Sequence, residues 1–257
     1  DLEKFKMRGG IGLISNRLHV ETPIVRDKLA WMTSARFSFN EYLIRLYNKA
    51  FVNPKAEQRL PNNKPVFFDF ANKVTWRPGS HDNISLVSYV SYDSYRVDSL
   101  FSIANIVPRQ ATMQYGHVNV GLRWNHYFSD RFNLNVLAAR SEYKTSTAAD
   151  DLKTGFDSRT KITYLNSKAE ITYAPSRLQR INAGVTVTRY DLNPADLVPT
   201  EASSVATVHL PAERAWETAF FASDEYEFSS RLLVEAGFRY VYYRNMGPTF
   251  VSVYAEG

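Results

Sequence analysis

Apolar and polar residues alternate with a period of two along most of the chain. In the clearest stretch, Val118, Val120, Leu122 and Trp124 share one face, and His117, Asn119, Gly121, Arg123 and Asn125 share the other. Leu232, Val234, Ala236, Phe238, Tyr240 and Tyr242 oppose Glu235, Gly237 and Arg239. Ile181, Ala183, Val185 and Val187 oppose Asn182, Gly184, Thr186 and Thr188, and Phe68, Phe70, Val74 and Trp76 oppose Asp69, Lys73, Thr75 and Arg77. Successive side chains of a strand point to opposite faces, so this spacing predicts strands with one apolar side. Weaker versions over 11–21, 29–41, 84–96, 132–145, 162–173 and 214–228 bring the expectation to about ten strands. Several exceed the common strand length of about 5–6 residues. They meet the roughly 9–11 residues that a tilted strand needs to cross a bilayer.

The predicted connections alternate between short and long. Short polar turns fall at Thr22–Lys28, Pro78–Asn83, Ser129–Arg131, Pro175–Arg180 and Ser229–Arg231, and long polar links fall near 44–65, 97–113, 146–160 and 191–213. Short turns at one end and long loops at the other are the habit of outer-membrane barrels. Aromatic residues gather near the short turns: Trp31, Trp76, Trp124 with Tyr127 and Phe128, Phe132, Tyr173, Tyr226 and Phe228. An amphipathic ring is most stable at headgroup level, so these read as an interfacial girdle. The competing reading makes them core aromatics of a soluble β-sandwich.

The sense of the two faces separates those readings, because a membrane barrel turns its apolar face outward and closes its sheet. The polar face carries Arg17, Arg36, Asp69, Lys73, Arg77, Arg123, Lys168, Glu170, Glu217, Glu225, Glu235 and Arg239. This mixture of signs suits a hydrated lumen or a wall facing a plug. The expected class is therefore all-β, an antiparallel transmembrane β-barrel, with residues 1–257 forming one barrel segment. Ten strands could close a narrow barrel alone. The run from Asn245 to Gly257 offers no returning strand with an aromatic end, so the expectation is a section of a larger barrel.

Composition narrows the picture further. The chain has 257 residues, with 16 Tyr, 16 Phe and 4 Trp, and no apolar run long enough for a membrane helix. Stretches such as Asn83 to Tyr95 are rich in Ser and Tyr. There is no Cys, which removes disulfides and thiolate metal sites, and the N-terminal Asp1-Leu2-Glu3-Lys4 is not a signal peptide. The net charge of +5 is spread along the chain rather than clustered, which gives nucleic-acid binding no support.

The string Lys4-Phe5-Lys6-Met7-Arg8-Gly9-Gly10-Ile11-Gly12-Leu13-Ile14-Ser15-Asn16-Arg17-Leu18 and its continuation Val20-Glu21-Thr22-Pro23-Ile24-Val25-Arg26-Asp27-Lys28-Leu29 carry a more specific signal. They resemble the plug-to-barrel junction and first barrel hairpin of TonB-dependent outer-membrane receptors, in the version found in Bacteroidota. Phe238-Arg239-Tyr240 followed by Gly247-Pro248 is similar to that family's mid-barrel, less specifically. The resemblance is sharp over about 30 residues and otherwise one of rhythm. It implies a 22-stranded barrel with an N-terminal plug. On that reading residues 1–16 are the junction and the start of the first strand, and the plug and TonB-contacting segment are absent. The implied activity is import of a scarce nutrient (a metal chelate, cofactor, glycan or peptide) across the bacterial outer membrane. Outer-membrane lipids, TonB and a surface lipoprotein are the implied partners.

Chemistry is sparse. His19, His81, His117, His126 and His209 show no metal-ligand spacing, and His117 and His126 fall on opposite faces of a regular strand. Asp150-Asp151 suits a solvated loop better than a cation site. No nucleophile elbow, phosphate loop or dinucleotide fingerprint occurs. The expectation is thus no enzyme, no catalytic, metal or cofactor residue, and no cofactor. Asp191, Asp196, Glu201 and His209 form the one candidate set for a rim hydrolase. A complete small barrel acting as scaffold, adhesin or pore is the other alternative. Substrate recognition is expected from the 44–65 and 191–213 links.

Overall fold

A computed structural model describes residues 3–12, 14–38, 64–98, 110–150, 155–200 and 203–247, with Tyr42, Leu46, Tyr47, Lys49 and Ala50. Among the described residues eleven strands run β1 (Lys6–Ile11), β2 (Ser15–Val25), β3 (Leu29–Ser38), β4 (Lys64–Trp76), β5 (Asp82–Asp98), β6 (Gln110–Ser129), β7 (Phe132–Asp150), β8 (Phe156–Tyr173), β9 (Gln179–Pro199), β10 (Glu213–Ser229) and β11 (Leu232–Asn245). They form one antiparallel sheet in chain order, each strand paired with the next. The eleventh strand comes from the glycine-bearing Lys6–Ile11, which pairs with β2 from Lys6↔Glu21 to Ile11↔Asn16.

The short turns hold their form through local chemistry. Ser129 Oγ accepts the Arg131 N–H at 3.3 Å, Ser229 Oγ accepts the Arg231 N–H at 3.3 Å, and Ser176 Oγ accepts the Leu178 N–H at 3.2 Å. A serine hydroxyl accepting from the backbone two residues on stabilises a tight turn. In the first short turn Asp27 takes a left-handed φ of 61°, which Asp tolerates better than a branched residue.

The long links are shorter than the sequence pattern suggests. β7 continues to Asp150 and β8 begins at Phe156; β9 continues to Pro199 and β10 begins at Glu213. Beyond the lipid-facing stretch no apolar alternation is required, yet backbone pairing continues, so pattern reading ends these strands too early. The strands β6, β7, β8 and β9 run 20, 19, 18 and 21 residues, roughly twice what a bilayer crossing needs. Residues 51–63, 99–109 and 151–154, and with them most of the 44–65 link, lie outside the described residues.

Register settles which face is which. Val120 pairs with Ser88 on one side and Arg140 on the other, and Leu122 with Leu86 and Ala138. Carried across the sheet, this puts Trp31, Phe70, Val118, Leu122, Ile171, Val185, Phe220 and Phe238 on one face. All of these but the half-buried Val185 are exposed: Val118 is 45% accessible, Leu122 46%, Phe220 52% and Phe238 67%. Among the described residues no large side chain is fully buried, and the buried apolar set is mostly Ala. Burying such a side chain is worth about 1.5–3 kcal/mol. A water-soluble sandwich would forfeit that many times over, whereas a lipid-facing wall forfeits nothing. The architecture is therefore a transmembrane-barrel wall.

The girdle is visible as ring contacts. Trp124, His126, Phe128, Phe132 and Tyr173 form a run of neighbouring rings with centroids 5.7, 4.4, 5.0 and 6.3 Å apart. The Trp124 indole N–H donates to Asp82 Oδ1 at 2.8 Å, giving the ring its polar handle beside the short turn. Tyr127 departs from the expected girdle: its register with Asn133 places it on the polar face.

Candidate functional site

Every charged residue expected on the polar face from Arg17 to Arg239, apart from Arg77 just past β4, has the register of that face. Two groups of side chains stand out there. The first lies on β2–β5. Arg36 and Asp69 are directly opposed, and the Arg36 Nε donates to Asp69 Oδ2 at 2.6 Å. The Tyr89 hydroxyl donates to Asp69 Oδ1 at 2.8 Å, so both carboxylate oxygens are engaged. The Arg36 guanidinium also sits 5.1 Å from the Phe67 ring. His19 is held between Ser34 Oγ at 2.7 Å and Glu21 Oε1 at 2.9 Å. Arg8 and Arg17 line the same recess, about 660 Å³, and form no ion pair among the described residues.

The second group spans β8–β11. Phe221 lies directly opposite Gly184, with Lys168 Nζ 5.0 Å and Arg239 Cζ 6.0 Å from its ring. Lys168 pairs with Glu170 at 2.7 Å, and the Tyr190 hydroxyl donates to Glu217 at 3.2 Å. Between the groups, His117 contacts Ser141 Oγ at 2.7 Å and packs its ring 5.7 Å from Tyr89. This is a wall of paired charges, hydroxyls and ring faces, suited to weak multidentate contact with a polar solute or a facing domain. Replacing Asp69 by Ala is expected to cost about 1 kcal/mol, because Arg36 and Tyr89 lose their shared acceptor in a hydrated setting. A lowered urea midpoint for the folded form checks this.

Among the described residues no group of His, Asp or Glu is arranged to hold a metal ion. His117 faces inward and His126, bonded to Asp82 at 2.8 Å, faces outward. The rim-hydrolase set does not assemble as one site. Val208 pairs with Leu197 of β9, which brings His209 Nδ1 to 2.6 Å from Asp196 Oδ1. Asp191 is instead held by Arg189 at 3.0 Å and Arg214 at 3.3 Å, on the outward face. Glu201 and Asp151 lie outside the described residues.

One set of charges was not anticipated. On the outward face the apolar run of β7 ends at Ala138, and Arg140, Glu142 and Lys144 follow on the same side. Arg189, Asp191 and Arg214 continue this outer patch on β9 and β10. The signal was present in the sequence as a change of character without a change of parity.

Solved structures with this fold exist. The chain superposes on the ferric preacinetobactin receptor of Acinetobacter baumannii with a TM-score of 0.62 and 9% identity, over 90% of this chain and 40% of that one. It does so on a ferric enterobactin receptor of Pseudomonas aeruginosa, in mutant form, at 0.57 and 11% identity, over 93% of this chain and 38% of that one. A siderophore receptor of A. baumannii gives 0.60 and 12% identity, again over 93% and 38%. The fold is that of the β-barrel wall of these receptors. The chain spans about 40% of the length of the first of these structures. No protein-family model and no curated protein matches the sequence.

Proposed function

We propose that this chain is a wall section of an outer-membrane, TonB-dependent transporter that imports a scarce nutrient. The observation that supports this best is the inverted face sense, exposed apolar residues outside and paired charges inside, in a sheet that superposes on a ferric preacinetobactin receptor and a siderophore receptor. β1 and β11 each pair on one side only among the described residues. Lipid cannot satisfy unpaired peptide groups, so the working barrel needs further strands, in line with a 22-stranded closure. Its polar face then meets a plug or the passing solute, and coupling to TonB comes from segments outside this chain.

A ferric chelate is the substrate class favoured by the neighbours, ahead of a cofactor, glycan or peptide. The finer likeness to receptors of Bacteroidota rests on the Lys4–Leu29 string, whereas the neighbours quoted above come from Acinetobacter and Pseudomonas. Deleting the gene is expected to abolish energy-dependent uptake of one radiolabelled ferric chelate from a panel. Unchanged uptake of every ferric chelate would move the proposal to the other nutrients. A native polypeptide of only about 29.4 kDa in outer membranes would overturn transport altogether.

A further inference from the structure

The outward charges on β7–β10 do not belong to the lumenal wall, and their arrangement is specific. Glu142 on β7 takes Arg140 at 2.9 Å, Lys144 at 2.6 Å and Lys161 at 3.3 Å. Asp191 on β9 takes Arg189 and Arg214. Each carboxylate therefore gathers more cations than it neutralises. Lys144 and Lys161 stand directly opposite each other, and the Glu142 carboxylate bridges them, one negative charge between two positive ones. Arg140, Lys161, Arg189 and Arg214 line an outer recess of about 450 Å³. Five cations against the carboxylates of Glu142 and Asp191 leave the patch positive.

Its position is as telling as its charge. Below it on the same face lie Val136, Ala138, Val185, Val187 and Phe220. One cross-strand row reads Arg140, Leu165, Arg189, Trp216 and Arg244, with cations alternating with apolar groups. The Arg189 guanidinium lies 6.0 Å from the Trp216 ring. Such a row has apolar contacts for acyl chains and cations for what sits above them. The two gathered groups stand two strand spacings apart, roughly 10 Å, since Glu142 and Asp191 both oppose Thr163.

We infer that this outer patch binds the phosphorylated headgroup of a membrane lipid at the distal edge of the apolar band, with its two cation groups matched to two phosphates. The inference rests on the reading of the apolar face as lipid-facing. Arg fits phosphate bidentately, and cations held in place by internal carboxylates lose little freedom on binding.

The test is native mass spectrometry of the full polypeptide in mild detergent, titrated with cardiolipin, which carries two phosphates, and with phosphatidylcholine. Cardiolipin is expected to bind in preference. The triple variant R140Q, K161Q and R214Q is expected to bind it about a hundredfold more weakly, from the contribution of each cation near an anionic lipid. The variant R123Q, on the lumenal face, is expected to bind like the native chain. Equal binding of both lipids, equal binding by the triple variant, or displacement of cardiolipin by equimolar inorganic phosphate would overturn the site. A triple variant that fails to fold is replaced by K161E alone, for which undiminished cardiolipin binding is the overturning result. Quenching of tryptophan fluorescence by brominated acyl chains in vesicles separates the two failures. Its absence would remove the lipid-facing reading itself, whereas its presence with failed titration removes only the headgroup site.

Discussion

Replacing Leu122 by Arg is expected to destabilise the folded wall by about 2–4 kcal/mol, the cost of a cation on the lipid face near mid-bilayer. Leu122 lies between Leu86 and Ala138 on the outward face and is 46% accessible to solvent in the isolated chain. It is two residues from Trp124, far enough in that an arginine must snorkel past neighbouring apolar side chains to reach water. Asn119, on the opposite face of β6 between Tyr89 and Ser141, is the control. Asn119→Arg enters a hydrated polar wall and is expected to change stability by under about 0.5 kcal/mol. Urea titration of the protein in vesicles, read by the gel shift between folded and heat-denatured forms, measures both. Equal effects at the two positions would mean that the faces do not differ in solvent, and the membrane reading would fall with them.

A second large loss is expected from Gly184→Ala. A Cβ there would stand 2.5 Å from the Ala169 carbonyl oxygen and 2.5 Å from Phe221 Cζ, closer than real contacts allow. The Phe221 ring can rotate away, leaving Lys168 and Arg239 without the face they now share, but the carbonyl belongs to the β8 backbone and cannot. The expected cost is about 1–3 kcal/mol, as for other overpacked sites. Gly116, where a Cβ would meet nothing within 4 Å, provides the comparison, and Gly116→Ala is expected to be neutral or slightly stabilising. Adding Phe221→Ala to Gly184→Ala is expected to recover only part of the loss. Full recovery would show that the ring, not the backbone, sets the constraint.

These two sites show how differently the sequence speaks. The face of Leu122 was legible from residues 117–125 alone, because a half-lipid, half-water environment imposes period two on every strand that crosses it. The same rule puts Arg36, Asp69, Lys168 and Arg239 on the polar side. It did not reveal that Asp69 serves both Arg36 and Tyr89, or that Phe221 covers Gly184, since a partner across the sheet depends on register and not on spacing along one strand. Strand ends were misjudged for a related reason. Past Ala138 and before Leu165 the outward residues are polar, so the alternation that marks a strand vanishes while backbone pairing continues to Asp150↔Gln110 and Ala149↔Phe156.

By itself, then, the sequence determined the class of fold, the face of most strand residues and the positions of the short turns, all of which are local. Alternation follows from the solvent on each side of a strand, and a serine turn from its own hydroxyl. The tertiary structure decided what lies opposite what. It separated Asp191 from Asp196 and His209, and gathered Arg140, Lys144, Lys161, Arg189 and Arg214 from four strands into one outward patch. Those groupings are set by the register of paired strands, and a single residue's slip would scatter them while leaving every local pattern in the chain unchanged.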